Sequence, residues 1–203
     1  MPTTPDPLAG DVPNEPTPRT GWRRFTPWLA ALLAVVVVVG WQVLSRNPSL
    51  DDGGVNWSSA AMVTCGADDV SLHGTSDDDV NDGSPLYATL VHNRSQFPVA
   101  LSADAPAALQ VGFSDVVEPL AASAAGAPGP TRASVTVPTG KSVWLVLSAT
   151  SPMPEMAEGS ARLVDRVTLH TTTLGTTTSQ DFPLPDHVVL YGGSTPPAEY
   201  RCS

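Results

Sequence analysis

Positive charge is scarce in this sequence. Ten Lys and Arg stand against twenty Asp and Glu, and Lys141 is the only lysine, a usage that fits a high-GC bacterium. Ahead of the first apolar run, Asp6, Asp11 and Glu15 are balanced by Arg19, Arg23 and Arg24, so the surplus acid lies beyond that run. Such a domain repels phosphate backbones, which makes nucleic acid a poor partner for it. Cysteine is scarcer still. Cys65 and Cys202 form no CxxC and have no adjacent histidine, so nothing in their spacing supports a metal half-site. Helical apolar periodicity is absent outside the one long run, and neither a GxSxG elbow nor an HExxH pattern occurs.

What is present begins with that run. From Phe25 to Leu44 twenty residues carry no charge, and as a helix they span about 30 Å, the thickness of a bilayer core. The valines at 35–39 are weak helix formers in water, but in hydrocarbon the backbone has only its own groups to bond. Trp22, Trp28 and Trp41 flank the run at headgroup level, and Pro27 falls in the first turn, where its missing N–H costs nothing. Arg19, Arg23 and Arg24 precede the segment, while Arg46 follows it together with Asp51 and Asp52; this asymmetry puts the N-terminus in the cytoplasm. A cleaved signal peptide is the rival reading, but no small-x-small site follows Gly40, Trp41 and Gln42.

The expected layout is therefore a disordered, proline-rich cytoplasmic tail over 1–24, a transmembrane helix over 25–44, a linker over 45–56 and an extracytoplasmic domain over 57–203. In an oxidising compartment the simplest state of the two cysteines is a Cys65–Cys202 disulfide, tying the C-terminus to the first strand, for which loop closure alone gives roughly 4 to 5 kcal/mol.

Within the domain, strand-length apolar bursts recur at Ala61–Cys65, Val70–His73, Leu86–His92, Pro98–Leu101, Leu109–Phe113, Ser134–Val137, Val143–Leu147, Leu163–Thr172, Thr176–Phe182 and Val188–Tyr191, separated by Gly, Pro, Asp and Asn. The Ala-rich stretch Val116–Ala125, bounded by prolines, reads as a loop. Short strands at this spacing predict an all-β fold, an antiparallel β-sandwich. Leu86–Leu101 and Ser134–Ala149 each alternate into a polar turn and resume, as two neighbouring strands of one sheet would. Their corners, Val91–Val99 with Asn93, Ser95 and Pro98, and Val137–Ser142 with Pro138 and Gly140, resemble immunoglobulin-like domains of bacterial exported proteins over roughly residues 60 to 190. The whole is similar to single-pass membrane proteins of high-GC, actinobacterial-type bacteria with such an extracytoplasmic domain. The resemblance implies a fold and no reaction. Trp144 is present, but the cysteines are terminal rather than placed between sheets as in antibody domains.

The densest polar cluster, Asp77, Asp78, Asp79, Asn81, Asp82 and Gly83, invites calcium, with Asp77, Asp79 and Asp82 as candidate ligands. Its register lacks the turn glycine and the closing Glu of a calcium loop, so a solvated turn is the better reading. Met153 and Met156, with His170 and His187, offer soft donors for copper, although methionines in a proline-rich loop are more often filler. Gly140, Lys141 and Ser142 copy the end of a phosphate loop, but Val135 stands where its first glycine belongs. His73, His92, His170 and His187 fall in or beside separate strands. The threonines at 168, 171–173 and 176–178 suggest a polar ligand face, or merely good strand formers. Phe182 and Tyr191 are candidate exposed contacts. The expected function is a membrane-anchored, non-catalytic domain without cofactor that binds or scaffolds another envelope protein; the alternative is a small-ligand or metal module taking calcium or copper.

Overall fold

The computed structural model describes residues 26–46, 48–60, 62–66, 68–75, 83–106, 108–117, 128–150, 154 and 156–201. The first element is helix α1, Thr26–Arg46. Its segment Pro27–Ser45, of mean hydropathy 2.2, is long and apolar enough to cross a bilayer. Leu32, Leu33 and Val35–Val38 expose 57–68 % of their surface, which water would penalise and lipid would not. The expected tail over 1–24 lies outside the described residues.

The remainder is all-β: β1 Leu50–Ser58, β2 Met62–Cys65, β3 Asp68–Gly74, β4 Pro85–Asn93, β5 Val99–Ala103, β6 Leu109–Val117, β7 Ser134–Val137, β8 Ser142–Ala149, β9 Ala161–Thr173 and β10 Thr176–Tyr191. Two sheets form, ordered β1-β4-β8-β6 and β2-β3-β10-β9-β5-β7. Between them lies one apolar core, including Tyr87, Val91, Leu101, Phe113, Leu145, Leu147, Leu169 and Leu190. Every expected burst becomes a strand, and the last two merge into β10.

Four expectations need correction. The linker expected over 45–56 ends early, because Leu50–Ser58 pairs with β4. Gly53 and Gly54 read as flexible, but they form a bulge in which β1 spends two extra residues between Asp52 and Asn56. A Cβ on Gly53 would stand 2.5 Å from Leu90 Cβ, so only glycine lets the bulge lie on that side chain. Second, the fold is not wholly antiparallel, since β3 runs parallel to β10.

Third, β4 and β5 are not neighbours in one sheet, and neither are β7 and β8; each corner instead carries the chain from one sheet to the other. The physical reason is Asn93, fully buried at the end of β4. Its Nδ2 donates to Phe97 O at 3.0 Å and Val137 O at 2.9 Å, while its Oδ1 accepts from Ser95 N at 2.9 Å and Ser95 Oγ at 2.6 Å. Its backbone N–H donates to Lys141 O and its carbonyl accepts from Gly140 N. One amide thus holds both corners, and no water is needed to satisfy it. Fourth, β6 runs on to Val117 where a loop was read from Val116; residues 118–125 lie outside the described set.

Trp144 is not in the inter-sheet core. With Ala88, Leu90 and Val146 it forms a second buried cluster, packed by Val55 and Trp57. β4 and β8 are buried on both faces, which explains their nearly continuous apolar sequences.

Replacing Asn93 by Ala should remove the side-chain donor from the buried Val137 carbonyl, while Phe97 O keeps Ser95 Oγ at 2.7 Å. We expect a loss of about 3 kcal/mol, read as a lower urea midpoint with an unchanged m-value in the full-length chain; an unchanged midpoint would contradict the role assigned to this amide.

Candidate functional site

Two prolines inside β10 determine the most distinctive surface of the domain. Pro183 and Pro185 donate no ladder hydrogen bond, and here the register with β9 slips: Pro183 faces Arg166 and Val188 faces Val164, so β10 spends three extra residues. This bulge turns Asp186 inward, where it is 5 % exposed. Its Oδ2 accepts from Tyr87 Oη on β4 at 3.1 Å and from Asn56 Nδ2 on β1. Burial pushes the Asp186 carboxyl above the usual range, against the lowering effect of those two donors. Burial first, then the nearby Asp186 charge, also pushes the Tyr87 phenol far up.

Two residues along β1, Ser58 continues the polar connection. Ser58 Oγ lies 2.5 Å from Ser71 Oγ, and Ser71 Oγ lies 2.7 Å from His73 Nε2 on β3. Alternate residues of a strand share a face, so Asn56 and Ser58 turn toward the opposite sheet while Val55 and Trp57 pack on the outer cluster. A serine and a histidine are brought together, but Ser71 is fully buried and His73 is 2 % exposed. The Ser58–Ser71 contact joins the two sheets, and the Ser71–His73 pair, both on β3, does not face solvent.

Outside the same bulge lie two adjoining grooves. One, of about 300 Å³, is lined by Asp165, Arg166, Asp181, Pro183, Leu184 and His187. The other, of about 220 Å³, is lined by Leu50, Asp51, Asp52, Gln180, Asp181, Phe182 and Pro183. They share Asp181 and Pro183. Some of the acid is neutralised: Arg94 Nε lies 2.7 Å from Asp51 Oδ2, and Arg166 Nη2 2.9 Å from Asp165 Oδ2. The Arg166 hydrogen bond holds the Asp165 carboxyl below its ordinary range. Asp52 accepts from Gly54 N at 3.0 Å and Asp181 from Thr168 Oγ1 at 3.0 Å, and among the contacts of the described residues neither has a cation within ion-pair distance. Carboxylates beside an open apolar floor of Leu50 and Pro183 suit an ammonium or guanidinium group on a short stem.

The outer face of the second sheet carries a ladder of polar cross-strand pairs. Thr168 meets Asp181 and Thr172 meets Thr177. Between them His170 holds Ser179 Oγ on Nδ1 at 2.8 Å and Asp104 Oδ2 near Nε2 at 3.0 Å. This third constellation was hidden in the sequence, although a hairpin centred on Leu174 and Gly175 puts 170 opposite 179. Thr171 and Thr173 are buried and, with their partners Thr178 and Thr176, lie on the other face, so the expected threonine face keeps three of its seven residues, Thr168, Thr172 and Thr177.

Asp77, Asp79 and Asp82 lie outside the described residues, as do Asp78, Asn81 and Met153. Met156 is partly buried against the main core, the filler role expected of it. Among the described residues no group of three His, Cys, Asp or Glu is placed to hold a metal. Ser142 is buried beside His92 Nδ1 at 3.0 Å, and Gly140 turns the chain at φ +72°, so Gly140–Ser142 is turn chemistry. Phe182 and Tyr191, read as candidate exposed contacts, are only 4 % and 9 % exposed and belong to the interior. Cys65, ending β2, carries no free thiol; Cys202, its expected partner, lies outside the described residues.

The raised Asp186 carboxyl sets the sign of a pH effect. A carboxyl that binds its proton more readily folded than unfolded adds stability below the unfolded pKa, roughly 3.9, and that stability is lost as pH rises through the higher folded value. We expect the melting temperature of the full-length chain to fall across that window, and Asp186→Asn, which can still accept from Tyr87 and Asn56, to flatten the fall. An unaltered pH profile in Asp186→Asn would remove the carboxyl from this account. No protein-family model matches the chain, and no curated protein matches its sequence.

Proposed function

We propose that this chain is a single-pass membrane protein, N-terminus in the cytoplasm, whose extracytoplasmic immunoglobulin-like sandwich binds another envelope protein without catalysing a reaction. The observation that carries the reading is the pair of adjoining grooves around the β10 bulge, where Asp51, Asp52, Asp165 and Asp181 line an apolar floor. A helix of bilayer length supports the anchor, and the basic residues ahead of it support the direction. Two facing sheets joined by short crossing corners support the immunoglobulin-like class. The partner's matching feature is a segment rich in Lys or Arg, which the grooves draw in by charge and orient by the flanking ion pairs.

A photo-reactive side chain in place of Gln180, which lines one groove, should attach a basic envelope protein in intact cells. Asp52→Asn with Asp181→Asn should lower that yield several-fold. Recovery of the uncrosslinked chain alone, or a yield indifferent to the two substitutions, refutes the reading.

The same export route favours a Cys65–Cys202 bond. Reduction of the membrane-extracted chain should add the mass of two hydrogens, and peptides carrying the two cysteines should travel joined before it. Separate peptides from material alkylated at once on lysis would count against exposure to an oxidising space.

A further inference from the structure

β10 keeps a free edge inside the second sheet. It pairs with β9 over residues 176–183, but on its other side β3 accompanies it only from His187 to Tyr191. The chain enters β3 from β2, which lies on the far side of that strand. Beside residues 176–183, the lane that β3 would continue therefore holds no strand among the described residues.

One bond in the neighbouring ladder tells which main-chain groups face this lane. Asp104 N donates to Thr168 O at 3.0 Å, so Thr168 turns its carbonyl toward β5 and away from β10. Asp181, its partner across the β9–β10 ladder, thus belongs to a non-hydrogen-bonded pair and turns its own N–H and C=O away from β9. Main-chain direction alternates along a strand, so Ser179 and Thr177 do the same. Pro183 comes next in that series but has no N–H, and the row of free donors ends there. Leu50, Asp52, Gln180 and Asp181 line the groove that opens beside this edge. Leu50 packs on the main core and Asp52 accepts from Thr89 Oγ1 at 3.4 Å, so both side chains face the second sheet. Asp181 stands on the outer face of that sheet, bonded to Thr168.

We infer that the basic segment of the proposed partner enters this lane as an added strand, continuing the line of β3 and hydrogen-bonding the main chain of Thr177, Ser179 and Asp181. Successive residues of such a strand point to opposite faces, so one meets Asp181 on the outer face and its neighbour meets Asp52 on the inner one. The segment accordingly carries Lys or Arg at adjacent positions. A free edge accepts any strand that reaches it, and the carboxylates narrow that choice. A second copy of this chain, of formal net charge -10, would bring its own Asp52 and Asp181 to the lane and is disfavoured. The inference rests on the partner reading above and adds the partner's conformation and the bonds it makes.

Residue-resolved amide exchange on the purified full-length chain in phosphatidylcholine nanodiscs tests the free edge. The amides of Thr177, Ser179 and Asp181 should exchange about tenfold faster than those of Thr178, Gln180 and Phe182, which bond to β9. Equal protection overturns the inference: another part of the chain then fills the lane or, where protection grows with protein concentration, a second copy does. Crosslinking from the photo-reactive side chain at position 180 in intact cells tests occupancy. Ser179→Pro removes an N–H that β9 does not use and puts its ring in the lane, so attachment of the basic protein should be lost with the melting temperature held. Ser179→Ala, which keeps the N–H, should leave the yield unchanged; an equal loss there would assign the effect to the hydroxyl and overturn the added strand. If Ser179→Pro lowers the melting temperature, Thr177→Pro makes the same test at the next free position. A crosslink that persists in a stably folded proline variant overturns the added strand and leaves the acidic grooves as the partner's site. Absence of any crosslink from the otherwise unaltered chain overturns both.

Discussion

A buried primary amide can hold two pieces of backbone at once, with donors on one atom and an acceptor on the other. Asn93 does this at the point where the chain changes sheets twice, between β4 and β5 and between β7 and β8. Because both corners hang on one side chain, the relative placement of the two sheets at this end is fixed by directional bonds rather than by apolar packing, which has no preferred direction.

At the other edge the same problem is solved with a carboxylate. β1 turns Asn56 and Ser58 toward the opposite sheet, and β10 answers with Asp186, which its proline bulge swings inward. Burying that carboxyl costs stability, visible in its raised pKa, and the donors from Tyr87 and Asn56 offset part of the cost. The bulge is also what opens the grooves holding Asp52, Asp165 and Asp181. Fold and candidate site therefore share one cause: a strand that cannot complete its ladder bends, and the bend makes both the internal bridge and the external hollow.

The two faces of the β4–β8 pair show how far alternation can mislead. A strand buried on one side reads as alternating, and one buried on both sides reads as a continuous apolar run. Leu86–His92 and Val143–Leu147 are of the second kind, with Tyr87, Leu145 and Leu147 inward and Ala88, Leu90, Trp144 and Val146 on the outer cluster. Trp144 occupies that outer cluster, so it does not play the part a tryptophan has between the sheets of antibody domains.

Local chemistry alone determined the apolar helix, the positions of the strands after Trp57 and the turn at Gly140, because solvent preference, side-chain alternation and positive φ act over a few residues. The strand at Leu50–Ser58 was missed because Asp51, Asp52, Gly53 and Gly54 have the composition of a linker; pairing with β4 and the close approach to Leu90 make it a strand. Likewise no window of sequence says that Asn93 reaches Val137, that Asp186 meets Tyr87 or that His170 lies between Asp104 and Ser179. These contacts join residues from separate strands, and which strands become neighbours is decided by how the two sheets bury their apolar faces together, a property of the folded chain and of no segment within it.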